Sequence, residues 1–445
     1  MAQKLSCEIT KLLSETDVEK EAKKLGFIKR KSKLSAWKFL DMLMFTHFNH
    51  DELSLNELAT QLKLRYHVEI SKQGVDNRFT GAAVEFIKTI MQKAMEVMVD
   101  EKTKLEFLEN FKRVRVKDST AFQLPEDMAE KYPGSGGAAS KSMIRIQFEY
   151  DLKTGEIIDL SLHPFNAQDT SNAIKTIGSV EPEELIIRDL GYINFTSLYQ
   201  IQKIRAYFLN RLQYGLNVYE HKEGKLVKLD FPAIEQYLKK TKQVFVEKQV
   251  YIGDKEKLEI RLIIELLSEE KKQERLRKAN KEAKKKGRNL GDDFKSRVGL
   301  NLFITNIDQQ WVKADQVRQL YTLRWQIELI FKVWKSIGEI HRIKKMKIDR
   351  FECYLFAKLL WIIINWNIFW KITIFFNQQK GILMSIIKMF RTFKNRIESF
   401  RASIIKGKAS LTGYIMDIVN MAEKHYRIEQ KRSKLSLYNL IKEYK

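Results

Sequence analysis

The chain has 445 residues, enough for roughly three domains that each have their own core. Lys and Arg number 80 against 56 Asp and Glu, and the formal charge of +24 favours nucleic acid as the partner, although a ribosomal or membrane-surface protein can carry a similar charge. Two cysteines exclude a disulfide framework and a four-cysteine zinc site, and an aromatic content of 11% excludes a disordered basic tail.

The N-terminal region, residues 1–105, is predicted to be helical because apolar residues recur there at spacings of three and four. Ser54 and Glu57 form a capping-box pattern at the start of one helix. With the segment Ser71–Phe79 this makes a helix-turn-helix-like pair, and an ordinary helical bundle explains the pattern equally well. In the first case the second helix would offer DNA four polar side chains: Lys72, Gln73, Asn77 and Arg78.

Two predicted strands each end on a carboxylate. The first runs from Arg113 and stops at Asp118, and a later one, Leu185–Arg188, leads into Asp189. Between them lie a hairpin, with strands at 143–150 and 157–162, and a helix; a second helix and a strand at 206–212 follow. The order of elements over residues 106–212 is that of an RNase H-like core, so we expect an α/β fold.

Residues 213–310 are predicted to be a β-rich domain inserted into that core. Strand-like segments at 244–252, 258–266 and 300–306 surround the very basic segment Lys271–Arg288, where ten Lys and Arg outweigh two Glu. This basic arm either holds DNA through phosphate contacts or is a solvated surface helix. The first alternative gives a DNA-binding role to the run Lys284, Lys285 and Lys286.

The second part of the core is expected at residues 311–378, followed by a basic helical region at 379–445. Its first helix places four residues on one face within an arc of about 60°, and Lys332 joins them. Most other residues of this segment are apolar, Trp325 and Leu329 among them, which predicts a buried helix with one charged seam. The four seam residues are Tyr321, Arg324, Glu328 and Lys335.

The next segment, Leu355–Phe376, approaches the length of a membrane span. Four polar residues interrupt it, so we interpret it as a buried helix and expect no membrane insertion. The interrupting residues are Lys358, Asn365, Asn367 and Lys371.

The three carboxylates Asp118, Asp189 and Glu328 suggest a metal-dependent site. Carboxylates from two strands and a buried helix can hold two divalent cations about 4 Å apart, and hard oxygen ligands select Mg²⁺, with Mn²⁺ as a substitute. On the seam, Arg324, Lys332 and Lys335 are suited to phosphate oxygens, and Tyr321 adds a neutral hydrogen bond. The pattern therefore predicts a nuclease-type active site.

These residues resemble those of the bacterial insertion-sequence transposases that have a DDE triad and a Tyr-Arg-Glu-Lys signature. The signature spacing is matched by the four seam residues, Asp118 matches the first Asp, and Asp189 with Gly191-Tyr192 matches the second. Arg211 lies where the family carries a basic residue near the active site. The resemblance covers roughly 111–346, is highly specific at the signature, and is looser toward both termini.

The resemblance implies a DNA transposase. Its Mg²⁺-binding triad would cleave the DNA at the terminal inverted repeats of an insertion sequence and join the freed 3′-hydroxyl to target DNA. It further implies a homodimer in the synaptic complex and a cytoplasmic, nucleoid-associated bacterial protein that needs no nucleotide cofactor. The remaining alternatives are another RNase H-like nuclease and a catalytically silent DNA-binding relative.

Overall fold

The computed structural model describes residues 1–30, 32–46, 54–96, 108–136, 140–253 and 256–428. The helices of these residues are α1 (Ala2–Leu12), α2 (Glu15–Lys24), α3 (Ala36–Phe45), α4 (Leu55–Tyr66), α5 (Lys72–Asp76), α6 (Gly81–Met95), α7 (Asp169–Lys175), α8 (Phe195–Lys203), α9 (Phe231–Thr241), α10 (Glu269–Lys285), α11 (Asp292–Arg297), α12 (Ala314–Thr322), α13 (Trp325–Ser336), α14 (Ile348–Lys380), α15 (Ile386–Asn395), α16 (Ile397–Ile405) and α17 (Lys408–His425). The strands are β1 (Val114–Gln123), β2 (Met143–Asp151), β3 (Ile157–Pro164), β4 (Leu185–Arg188), β5 (Tyr207–Arg211), β6 (Val218–Lys222), β7 (Lys225–Lys228), β8 (Phe245–Ile252), β9 (Leu258–Leu266) and β10 (Leu300–Thr305).

The strands join in one sheet in the order β3-β2-β1-β4-β5-β10-β9-β8-β6-β7. β1, β4 and β5 are parallel neighbours, whereas β10 lies antiparallel between β5 and β9. The predicted mixed α/β fold is therefore confirmed at this level. The strands predicted for residues 213–310 extend the sheet that contains β4 and β5.

The described chain divides into two compact units. The first comprises the described parts of Met1–Lys104, Ser119–Asn166 and Gln326–Arg432; the second comprises those of Leu105–Asp118 and Ala167–Trp325. The division falls within β1, between Asp118 and Ser119, and just after the start of α13.

The core of the first unit is the 33-residue helix α14, which packs against α3 and α6. Among the described residues it is the one helix long and apolar enough to cross a membrane, and 94% of its apolar window is buried inside the protein. Its polar side chains are bonded internally: Asn367 donates to the Ala94 carbonyl at 2.9 Å, and Lys358 to that of Glu339 at 3.1 Å. These bonds offset the desolvation of the polar groups, and the prediction of a buried core helix is confirmed.

A close backbone approach fixes the β2–β3 turn on α14. Gly155 has φ +77°, and a Cβ atom there would lie 2.3 Å from the ring of Trp370. The neighbouring Trp366 donates its indole N–H to the Gly155 carbonyl at 2.8 Å. Both the left-handed backbone and the contact distance therefore require glycine at this position.

The terminal helices of the first unit pack on each other. α17 contacts α1, and α16 contacts α3. Arg401 of α16 donates to Asp41 of α3 at 2.8 Å, and Tyr66 also donates to this carboxylate. Burial raises the pKa of Asp41 although both partners favour its charged form. Regions at opposite ends of the sequence thus share one core.

The helix-turn-helix alternative finds limited support in the geometry. The capping box is present, since the Ser54 and Glu57 side chains bond the backbone of each other. The second helix, α5, has only five residues, and Arg78 is tied to Ser32 by a 2.5 Å hydrogen bond. Lys72, Gln73 and Asn77 are exposed.

The second unit is built on the sheet strands β5, β6, β8, β9 and β10. Apolar side chains of these strands form one buried cluster with those of α8 and α9, which includes Val250, Ile260, Leu302, Phe208 and Leu238. In β9 and β10 consecutive residues are buried, as expected of strands that are covered on both faces of the sheet.

Candidate active site

Asp118 and Asp189 follow directly on the last paired residues of two parallel neighbouring strands. The β1–β4 ladder ends with Lys117 opposite Arg188, so each aspartate is the next residue along its strand. The strand-end prediction is correct for Asp189, which precedes a short 3₁₀ turn. For Asp118 it is wrong, because β1 continues to Gln123. The strand continues beyond Asp118 and Ser119 because Thr120 and Phe122, a β-branched and an aromatic residue, place buried side chains at alternate positions.

Arg324 joins the two aspartates. Its Nη1 donates to Asp118 Oδ2 at 3.1 Å, and its Nε lies 3.6 Å from Asp189 Oδ1. The Arg324 side chain is only 10% exposed, whereas that of Asp189 is 44% exposed. A cation between two carboxylates reduces their mutual repulsion, which is also what a bound metal ion would do. The sequence predicts a phosphate contact for this guanidinium and gives no signal for its contact with the two carboxylates.

The single seam helix predicted from the spacing is wrong. α12 ends at Thr322 and α13 begins at Trp325, with Arg324 in the turn between the two helices. Tyr321 therefore lies on α12, whereas Glu328 and Lys335 lie on α13. Because Arg324 lies in this turn, its side chain belongs to neither helical face.

One stripe of α13 is exposed. Glu328 and Lys332 belong to it, in agreement with an open charged seam. The predicted burial of Trp325 and Leu329 is wrong, since they are 59% and 38% exposed. Positions 325, 328, 329, 332 and 336 are spaced by three and four residues, so they share one side of the helix, while the opposite side carries the buried Ile327, Ile330, Phe331, Val333 and Trp334.

Lys335 is turned toward β1 in the first unit. Its Nζ donates to the Ala121 carbonyl at 3.0 Å, and burial lowers the pKa of its ammonium. Ala121 comes three residues after Asp118 in the same strand. Lys335 thus supports the strand that carries the first aspartate.

Tyr321 and Arg211 lie near the sheet in the second unit. Tyr321 is 6% exposed, and its ring centroid is 5.5 Å from that of Phe303. Burial raises its pKa to about 12, so its phenol stays protonated and can donate a hydrogen bond at neutral pH. Arg211 ends β5 opposite Phe303 in the ladder to β10.

The basic arm is the helix α10. Its inner side is fixed to the second unit, because Lys272 bonds Glu235 at 2.6 Å and Arg275 donates to the Leu300 carbonyl at 2.8 Å. Lys284 and Lys285 are exposed in its last turn, and Lys286, which caps the helix, is ion-paired with Glu282 at 2.5 Å. The arm is therefore a fixed helix with a solvent-facing basic side.

Comparison with known proteins decides the family. The transposase DDE domain matches residues 109–364. The chain belongs to the DDE transposase family. It is 30% identical to the transposase for insertion sequence element IS231B of Bacillus thuringiensis subsp. berliner, over 99% of this chain and 95% of that protein. It is likewise 30% identical to the transposase for insertion sequence element IS1151 of Clostridium perfringens, over 98% of this chain and 96% of that protein.

The donor chemistry of the aspartate pair suits a hard divalent cation such as Mg²⁺. Two carboxylates lie at the end of one ladder and already share a cationic partner, Arg324. Within the ranges that the structure describes, no three His, Cys, Asp or Glu side chains gather into a metal-binding group. The transposase thus presents, in its second unit, a carboxylate pair bridged by an arginine.

Proposed function

We propose that this DDE transposase binds the terminal inverted repeats of an insertion sequence, cleaves the DNA at its ends and joins those ends to target DNA. The observation that carries this proposal is the alignment of Asp118 and Asp189 at the end of the β1–β4 ladder, with Arg324 between them. Acidic groups concentrated beside a cation on a strongly basic chain suit a reaction at a phosphodiester.

Asp118, Asp189 and Glu328 would hold Mg²⁺, or Mn²⁺ in its place. When bound, the metal would act as a Lewis acid at the scissile phosphate. Glu328 comes four residues after Arg324 and is exposed in the first turn of α13. The carboxylates would thus fix the reacting centre.

The remaining site residues of this proposal position DNA. Tyr321, kept protonated by burial, would donate a hydrogen bond to a backbone oxygen, and Arg324 would turn from the aspartates to a phosphate once their charge is otherwise compensated. Lys332 on the exposed stripe and Arg211 at the end of β5 would add positive charge to the DNA-binding surface. Lys335 would stabilise β1 through its hydrogen bond to the Ala121 carbonyl. The exposed Lys284, Lys285 and Lys286 of α10 would contact phosphates farther along the duplex.

The architecture that would support this chemistry is an RNase H-like core, residues 106–212 and 311–378, interrupted by residues 213–310. Support comes from the strand order β3-β2-β1-β4-β5, with β1, β4 and β5 parallel and β2 and β3 antiparallel to each other. Residues 1–105 would be the DNA-binding domain, and residues 379–445 the basic C-terminal region. A homodimer would synapse the two ends, in the bacterial cytoplasm at the nucleoid.

Cleavage of end-containing DNA tests the proposal. Asp118→Asn, Asp189→Asn and Glu328→Gln should each abolish Mg²⁺-dependent cleavage and strand joining while DNA binding stays within a few-fold of the wild type. Asp315→Asn, which neutralises an exposed carboxylate in the first turn of α12, is the matched control and should cleave normally. A triad variant that cleaves like the control would remove that residue from the site, and a wild-type protein that never cleaves end DNA would end the proposal.

A further inference from the structure

Three segments of the first unit meet in a basic surface that lies outside the site described above. We call it the basic face. It consists of the exposed cations of the α2–α3 connection, α5, and the connection between α13 and α14. These cations are Lys29, Arg30, Lys33, Lys72, Arg342, Lys344, Lys345 and Lys347.

Direct contacts hold the three segments together. Lys347 Nζ lies 2.5 Å from Asp76 Oδ2, which joins the α13–α14 connection to α5. Arg78, just after α5, donates to the Ser32 hydroxyl at 2.5 Å and so joins α5 to the α2–α3 connection. Lys347 remains 69% exposed despite its ion pair. The basic face is therefore one surface formed from segments far apart in sequence.

The basic face carries an excess of positive charge. The stretch 341–347, His-Arg-Ile-Lys-Lys-Met-Lys, holds four cations and no acid. Among the eight cations, Lys347 pairs with Asp76 at 2.5 Å and Arg342 with Glu339 at 3.4 Å, and Glu339 also pairs with Lys394 at 3.1 Å. Because the cations outnumber these acids, the surface keeps a net positive charge, and such a surface attracts a polyanion.

The apolar content of the basic face indicates which kind of polyanion it binds. None of the exposed large apolar side chains in the described part of the chain belongs to these segments, and Ile343 and Met346 are half-buried. Insertion into an anionic membrane needs apolar side chains beside the cations, and a protein interface needs an apolar or aromatic centre. Phosphate contacts of duplex DNA need only charge and exposure.

The basic face also follows the candidate active site along the chain. α13 carries Glu328 and Lys332 on its exposed stripe and ends at Ser336, and Arg342 comes six residues later. A duplex that reaches the exposed stripe of α13 thus has further cations available within the same unit.

We propose that the basic face binds the phosphate backbone of the end duplex. This inference rests on the proposed function for its choice of DNA segment. The contacts are to phosphates, so they position the duplex and carry no sequence preference.

The test is a salt titration of DNA binding by the full-length chain. Lys344→Gln/Lys345→Gln removes two exposed charges of the basic face, and Lys406→Gln/Lys408→Gln removes two exposed charges at the N-terminal end of α17 as the matched control. An end duplex and a random duplex of equal length are the probes. The slope of log K against log salt should become shallower by about 1.8 for both probes in the first variant, at about 0.9 for each lost phosphate contact, and stay unchanged in the control.

Other outcomes overturn the inference. Equal slopes in the two double variants would show that the basic face makes no DNA contact. Loss of binding to duplex RNA or to phosphatidylserine vesicles, with DNA binding intact, would assign the surface to another partner. Cleavage of end DNA by the wild-type protein is measured in parallel. Absence of cleavage would contradict the proposed function alone. Normal cleavage, together with an unchanged salt slope in Lys344→Gln/Lys345→Gln, would contradict this inference alone.

Discussion

The Arg324 guanidinium donates to Asp118 at 3.1 Å and lies 3.6 Å from Asp189, so one buried cation serves both candidate metal ligands. Paired carboxylates without a cation repel each other, and the guanidinium offsets part of that repulsion. The same arrangement means that a metal ion must compete with the guanidinium for these oxygens. Arg324 is therefore placed to respond to metal as well as to DNA.

Removing Arg324 should separate metal binding from catalysis. We expect Arg324→Ala to bind Mn²⁺ about 10- to 150-fold more tightly than the wild type without DNA, because a competing charge-assisted contact of about 1.5–3 kcal/mol is lost. End cleavage should fall in the same variant, because its phosphate contact is also lost. Isothermal titration with Mn²⁺ gives the first result, and cleavage of an end duplex gives the second.

A second arginine provides the control. Arg318 lies on α12 and is ion-paired with Glu265, so Arg318→Ala removes the same side chain from a different carboxylate. Its Mn²⁺ affinity should equal that of the wild type. Unchanged or weaker Mn²⁺ binding in Arg324→Ala would show that the guanidinium does not compete with the metal.

The basic arm α10 should contribute to DNA binding through its exposed last turn. Lys284→Gln/Lys285→Gln should flatten the salt dependence of binding by about 0.9 per lost phosphate contact, for specific and random duplexes alike. Lys272→Gln is the comparison on the same helix, because this lysine is already paired with Glu235 at 2.6 Å and is 20% exposed. If the slope changes equally per charge at both places, the arm acts only through net charge and holds no phosphates.

The sequence was sufficient for features set by local patterns. The hairpin of β2 and β3, the strand β4 ending before Asp189, and the buried helix α14 were all predictable from alternation, turn residues and apolar content. Each of these depends on residues within one element or its immediate neighbours.

Features set by tertiary contacts were not predictable in this way. The spacing of the signature residues assumes one continuous helix, and nothing in the pattern marks the turn at Arg324. The bond from Arg324 to Asp118 joins residues 206 positions apart, and the placement of β10 between β5 and β9 is equally non-local. The basic face had a visible signal, the acid-free run from Arg342 to Lys347, but its joining to α5 depends on the ion pair with Asp76.

Two lysines one turn apart on α13 should have different roles. Lys335 is half-buried and donates to the Ala121 carbonyl at 3.0 Å, whereas Lys332 is exposed on the stripe that carries Glu328. We expect Lys335→Gln to lower the free energy of unfolding by about 1.5 kcal/mol, the lower end for a hydrogen bond to a charged group, because β1 loses a partner near Asp118. Lys332→Gln should leave unfolding unchanged and weaken DNA binding instead. Urea unfolding and DNA titration of both variants measure the two effects, and Lys335→Arg, which keeps a donor, should recover part of the stability. If Lys335→Gln unfolds like the wild type while its DNA affinity falls as far as that of Lys332→Gln, both ammonium groups act on DNA and the supporting role of Lys335 has to be abandoned.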